Sequence, residues 1–212
     1  MAENRTNSVT RFALATLLVV WTVVAPSVCE IVEGQSLALR GHGQIYFVPF
    51  GKFPSTVIDQ LVTRFQRKFQ LSIEALPAVQ YARNAVDYNR QQVIAEELIL
   101  LMKRSFPKLA GDPKTILIGI TDNDMYIRGY TWRYAFGFRE EGRLGIVSSA
   151  RMDPANYGKP PDPSLLHTRL RKMIARYIGM MHYQLSPNTN RNSVLYGPIL
   201  GLDDLDSIGE EF

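Results

Sequence analysis

LLHTRLRKMIARYIGMMHYQLSPNTNRNSVLY, residues Leu165 to Tyr196, is the stretch around which the rest of the chain is organised. Leu166, Leu170, Met173, Ile174, Tyr177, Ile178 and Met181 recur at helical steps, giving one apolar stripe of an amphipathic helix. Lys159 to Pro163 breaks the chain ahead of it, and Ser164 can cap its first turn. Ser186 to Asn192 is polar and turn-rich, a surface bridge from the helix to Ser193-Val194-Leu195-Tyr196. On periodicity alone this is a core helix.

Working outward, the chain of 212 residues is 46% hydrophobic and 21% charged, enough for one globular domain with a sizeable core. Ile45 to Val48 reads as a buried first strand stopped by Pro49. Pro54-Ser55-Thr56 opens a helix whose apolar positions run from Val57 to Phe69, and Leu71 to Leu76 gives a second strand, the two strands parallel. Pro77 to Tyr88 reads as irregular, and Asn89 to Gln92 precedes a second helix with Ile94, Leu98, Leu101 and Met102 on its buried side. Thr115 to Thr121 is the most hydrophobic run after the N-terminal segment, which makes it the central strand.

The N-terminus speaks to location. Arg5 and Arg11 precede an uncharged apolar run from Phe12 to Cys29, the pattern of a secretory leader cleaved around residues 27–29, or of an N-terminal anchor if residues 12–29 stay in the membrane. Residues 30–42 then form a linker, and the folded domain spans 43–212. The expectation is therefore an exported protein, periplasmic or extracellular, or one tethered to the membrane. Cys29 is the only cysteine, so no intramolecular disulfide forms. A net charge of +4 with acidic and basic residues intermixed, and no Lys/Arg stripe with interleaved aromatics, argues against nucleic acid as a partner.

Gly179-Met180-Met181-His182, followed by Ser193 to Tyr196, resembles the end of the zinc-binding helix and the methionine-containing turn of the metzincin proteases, H-E-x-x-H-x-x-G-x-x-H. Thr121 to Tyr126, Tyr134-Ala135-Phe136-Gly137, Val147 to Arg151 and Tyr88 to Gln92 are similar to segments of one metzincin branch, the archaemetzincins. The resemblance covers about Ile45 to Tyr196. It implies an α/β (α+β) fold: a mixed twisted sheet with a β-α-β start, an antiparallel edge strand, about three main helices and a short C-terminal helix.

Carried over position by position from Gly179, the third histidine is His182, the first falls on Lys172, the catalytic glutamate on Met173 and the second histidine on Arg176. Two cations repel a divalent ion, and a thioether accepts no proton. Leu195 stands at the turn's methionine position, and the four cysteines that archaemetzincins place after the third histidine are missing, Tyr183 following His182. The resemblance implies a remnant cleft of Lys172, Arg176, Gly179, His182, Leu195 and Tyr196, and an edge for pairing with peptide along Gly145, Ile146, Val147 and Ser148. Arg176 is expected to pair with one of Asp203, Asp204 or Asp206, because a buried guanidinium without a partner is costly. His42 and His167 read as solvated or packing histidines, and Asp122 and Asp124 as turn caps.

The functional expectation is a pseudoprotease that has lost its zinc ligands and general base and serves as a peptide-binding, protein-binding or structural domain. No catalytic residue and no cofactor are expected. The alternative is a zinc-dependent metallopeptidase with a non-standard site.

Overall fold

The structure, a computed structural model, describes residues 39–140 and 142–212. The expected leader and anchor (residues 1–29) and most of the linker lie outside the described residues. The elements run in chain order β1 Gln44–Pro49, α1 Ser55–Phe69, β2 Ile73–Ala75, β3 Val86–Asp87, β4 Gln92–Ile94, α2 Ala95–Ser105, α3 Pro107–Gly111, β5 Thr115–Thr121, β6 Met125–Tyr126, β7 Gly137–Glu140, β8 Leu144–Ser148, α4 Pro163–Met181 and α5 Leu202–Ser207.

β5 is buried along its whole length and sits in the middle of a five-stranded sheet ordered β2-β1-β5-β8-β7. Its side chains alternate between two cores, as the twofold repeat of a strand requires. Ile116, Ile118 and Ile120 join the core shared with α1 and α4, while Leu117 joins the one shared with α2. A strand buried on both faces reads as an unbroken apolar run, which is why it stands out in the sequence. β1 pairs parallel with both β2 and β5, giving the β-α-β start, and β7 closes the far side antiparallel to β8.

Two local differences from the sequence reading have physical reasons. The segment read as irregular contributes to a second sheet, ordered β3-β4-β6. Its strands are two or three residues long, too short to show a period. α4 is capped by Asp162 rather than Ser164, the carboxylate accepting from Leu165 N at 2.9 Å, with Pro163 at the first helical position where no amide proton is needed. No helix among the described residues is long and apolar enough to cross a membrane.

Candidate functional site: the inner face of α4

α4 buries three cationic side chains on its core-facing side, and each has a specific use. Arg169 forms a bidentate pair with Asp206, Nε to Oδ1 at 2.7 Å and Nη2 to Oδ2 at 2.6 Å, and its Nη1 donates to the Met152 carbonyl at 2.6 Å. The hydrogen bond to Asp206 raises the Arg169 pKa despite burial. Lys172 Nζ donates to the Leu205 and Asp206 carbonyls, both at 3.0 Å. These belong to the last turn of α5, whose carbonyls have no partner within the helix, so the ammonium acts as a C-cap placed at the negative end of the dipole. Arg176 Nη1 donates to Val194 O at 3.1 Å and to Tyr196 O. Burial lowers the pKa of both Lys172 and Arg176.

The expected pairing of Arg176 with an aspartate of the C-terminal segment is thus replaced by another. Asp206 pairs with Arg169, seven residues earlier on the same stripe, about 10 Å along the axis at 1.5 Å per residue. At that level α4 meets α5, whereas Arg176 lies level with the loop after the helix and satisfies its carbonyls.

The remnant cleft is not assembled as the resemblance implied. For a residue ten positions after the first motif position to reach the same ion, the helix would have to end between them, since ten helical residues span about 15 Å. Here α4 continues through Gly179 to Met181, and Gly179 is absent from the left-handed residues that such an ending often uses. His182 therefore sits ten residues beyond Lys172, about 15 Å along the axis. Gly179 serves close packing instead: a Cβ there would fall 2.7 Å from the Phe212 ring and 3.0 Å from Leu195. Leu195 is buried against this face, and Tyr196 is half-buried with the Arg191 guanidinium 4.6 Å from its ring centre.

His182 packs against the start of the folded domain. His42 N donates to the His182 carbonyl at 2.8 Å, and a Cβ on Gly41 would fall 1.7 Å from Nε2. Neither ring nitrogen has a hydrogen-bond partner. Burial lowers the His182 pKa, an effect partly opposed by the nearby backbone of Gly43 and His42. A base whose folded pKa lies below its unfolded value of about 6.5 binds fewer protons folded than unfolded in that window, so stability falls as pH drops through it. Urea midpoints are expected to decrease from pH 7 to pH 5, with the decrease smaller in His182→Phe; identical pH profiles would contradict this.

The open groove lies elsewhere on α4. It encloses about 770 Å³ between the residue 127–136 loop, β7, the α4 side chains Met173, Arg176, Tyr177 and Met180, and Pro187, Ile199 and Leu200. Tyr130 and Trp132 stack at 4.5 Å on its rim and are about half exposed. Tyr177 lies across β7 and β8, where Gly137 and Gly145 make room: a Cβ on either would come within 2.4 or 2.8 Å of the phenol. Of the positions carried over from the motif, Met173 and Arg176 border this groove. Lys172 is turned to α5.

The expected peptide-pairing edge, Gly145 to Ser148, is interior. β8 is flanked along its length by β5, from Leu117↔Leu144 to Thr121↔Ser148, and by β7. Among the described residues, the unpaired flank belongs to β7. Arg139 on that strand and Tyr177 were both missed as groove residues; the signal available was the alternation of Gly137 and Arg139, opposite in face to Phe138 and Glu140. Asp124 does more than cap a turn, accepting from Arg151 at 2.5 Å and from Gln92 at 2.9 Å. His167 lines a small cavity against α1 with Val57 and Arg171.

No family model matches the chain. It is 29% identical over 145 residues to the archaemetzincin of Pyrococcus furiosus, spanning 64% of this chain and 71% of that protein. It is 28% identical over 143 residues to that of Pyrococcus abyssi, spanning 65% and 73%. Among solved structures, the archaemetzincin of Archaeoglobus fulgidus complexed with malonate superposes with a TM-score of 0.63 at 21% identity, covering 80% of this chain and 94% of that one. A zinc-dependent peptidase of Methanocorpusculum labreanum superposes with a TM-score of 0.64 at 20% identity, covering 79% and 95%.

These comparisons correct the expectation that no cofactor is concerned: the relatives are archaemetzincins and one structural neighbour is a zinc-dependent peptidase, so they point to zinc. The residues at the motif positions do not fit that ion. An ammonium and a guanidinium, each committed to backbone carbonyls, stand where two imidazoles would be needed. Among the described residues, no group of three or more His, Cys, Asp or Glu could hold a metal. No chemical step is therefore derived through zinc.

Proposed function

Because the chain is archaemetzincin-like in sequence and fold, we propose that it is a pseudoprotease of this metallopeptidase-like kind, exported or tethered to the membrane through residues 12–29, that binds an extended peptide or protein segment. The observation that carries this reading is the use of Lys172 and Arg176 as ties: both are buried and hydrogen-bonded to backbone carbonyls of the segment that follows α4. Met173, at the position of the general base, has no group that can accept a proton from water.

Binding uses what the groove retains. An extended segment adds to the free flank of β7 through main-chain hydrogen bonds, and alternate side chains drop into the aromatic trough beside Tyr177 and Met180. The zinc-dependent peptidase among the structural neighbours favours the other reading, a metallopeptidase with a non-standard site. Incubating the full chain with a mixed peptide library, with and without added zinc, separates the two. Retention of intact peptides with no new cleavage products by mass spectrometry is expected; cleavage that depends on the chain would overturn the proposal.

A further inference from the structure

Among the described residues, the groove lining carries three guanidinium groups and no carboxylate. Arg133 and Arg139 are exposed on its walls, and Arg176 is buried in its floor. Arg139 lies on the helix-facing side of β7, because Gly137, two residues away on the same face, meets Tyr177. Its charge adds to burial in holding the Arg176 pKa below the ordinary guanidinium value, which places the two cations within electrostatic reach. Six basic side chains elsewhere, Arg64, Lys68, Lys103, Arg128, Arg151 and Arg169, pair with carboxylates. Among the described residues, Arg133 and Arg139 have no acidic partner. Like charges facing a partly enclosed trough, with no counter-charge in its lining, favour an anionic occupant.

The apolar character of the rest of the lining decides which anion. Phe136, Met173, Tyr177, Met180 and Ile199 give a trough that a bare phosphate or a sugar would leave unfilled. Resting on the peptide-binding reading, we propose that the occupant is an acidic peptide laid along β7, its apolar side chains in the trough and its carboxylates meeting Arg139 and Arg133. Guanidinium groups suit this role because their fork of donors matches a carboxylate in two parallel hydrogen bonds.

The test is fluorescence anisotropy on the full chain with two labelled heptapeptides, acetylated and amidated. One alternates Asp and Glu with Phe and Leu; its twin carries Asn and Gln in place of the acids. The acidic peptide is expected to bind about tenfold more tightly at low salt, with the advantage shrinking as ionic strength rises. Arg139→Gln, at an exposed position, is expected to weaken the acidic peptide about fivefold and leave the neutral twin unchanged. Equal binding of the twins would overturn the charge inference while leaving peptide binding intact, and binding of neither would overturn both. Tighter, Arg139-dependent capture of a polythymidine oligonucleotide would assign the groove to phosphates and overturn the inference as well.

Discussion

Asp206→Ala lowers the stability of the folded chain by about 2–4 kcal/mol, because it strands a charge that is almost wholly buried. The Arg169 side chain is 6% exposed and holds both carboxylate oxygens of Asp206, which is itself 38% exposed. Removing one partner of a fully buried pair costs about 3–5 kcal/mol, and the partial exposure of Asp206 brings the expectation below the top of that range. For a domain of this size each 1 kcal/mol moves the melting temperature by roughly 2–4 °C, so a fall of roughly 4–16 °C is expected by calorimetry. Asp203→Ala is the control. Asp203 is exposed and its replacement is expected to change stability by no more than about 0.5 kcal/mol. Equal melting temperatures for the two variants would remove the Arg169–Asp206 pair as a structural tie.

Arg176→Met is the second large effect, and two opposing contributions set its size. Methionine keeps much of the volume but donates nothing, so the Val194 and Tyr196 carbonyls lose their partner. Each buried acceptor left unpaired costs about 1–3 kcal/mol. Against this, the variant removes the desolvation of a guanidinium, and apolar replacements of buried charges are sometimes neutral. The first contribution is expected to win, because the acceptors remain when the cation goes; a net loss of about 2–3 kcal/mol follows. Urea unfolding with an unchanged slope would show it as a shift in midpoint, and faster amide exchange in residues 186–197 would locate it. A variant as stable as the parent would mean that those carbonyls find other partners, and the account of Arg176 as a tie would fall.

The sheet was legible where burial leaves a periodic trace. Thr115 to Thr121 is covered on both faces, and Ile45 to Val48 ends at a proline, so both strands announce themselves. Lys172 and Arg176 were legible only in the negative. Their chemistry says that they are poor zinc ligands, but their acceptors are backbone carbonyls, which every residue has and no sequence pattern marks. Arg169 carried no signal in the sequence, because its partner Asp206 lies 37 residues further along the chain. His182 misled because residue identity matches the motif while backbone conformation does not. Glycine permits the left-handed turn without enforcing it, and here the helix runs on through Gly179. The edge was carried to β8 by the resemblance, and the residues could not correct it: an apolar run such as Leu144 to Val147 shows that a strand is buried, not which neighbours flank it.

The ties made by Lys172 and Arg176 also make an H-E-x-x-H pattern hard to introduce on this helix. Lys172→His alone would uncap the last turn of α5, and Arg176→His alone would release the loop at Val194 and Tyr196. Each step spends stability before any ligand set is complete, and with His182 carried some 15 Å down the helix the third position stays out of reach even after both. For a protein only about 5–15 kcal/mol more stable folded than unfolded, each such single step is a sizeable fraction of the total. The buried cations thus act as stitches: side chains, rather than a metal, hold the helix to the segments that follow it, and its groove-facing positions can be varied more readily than its ties.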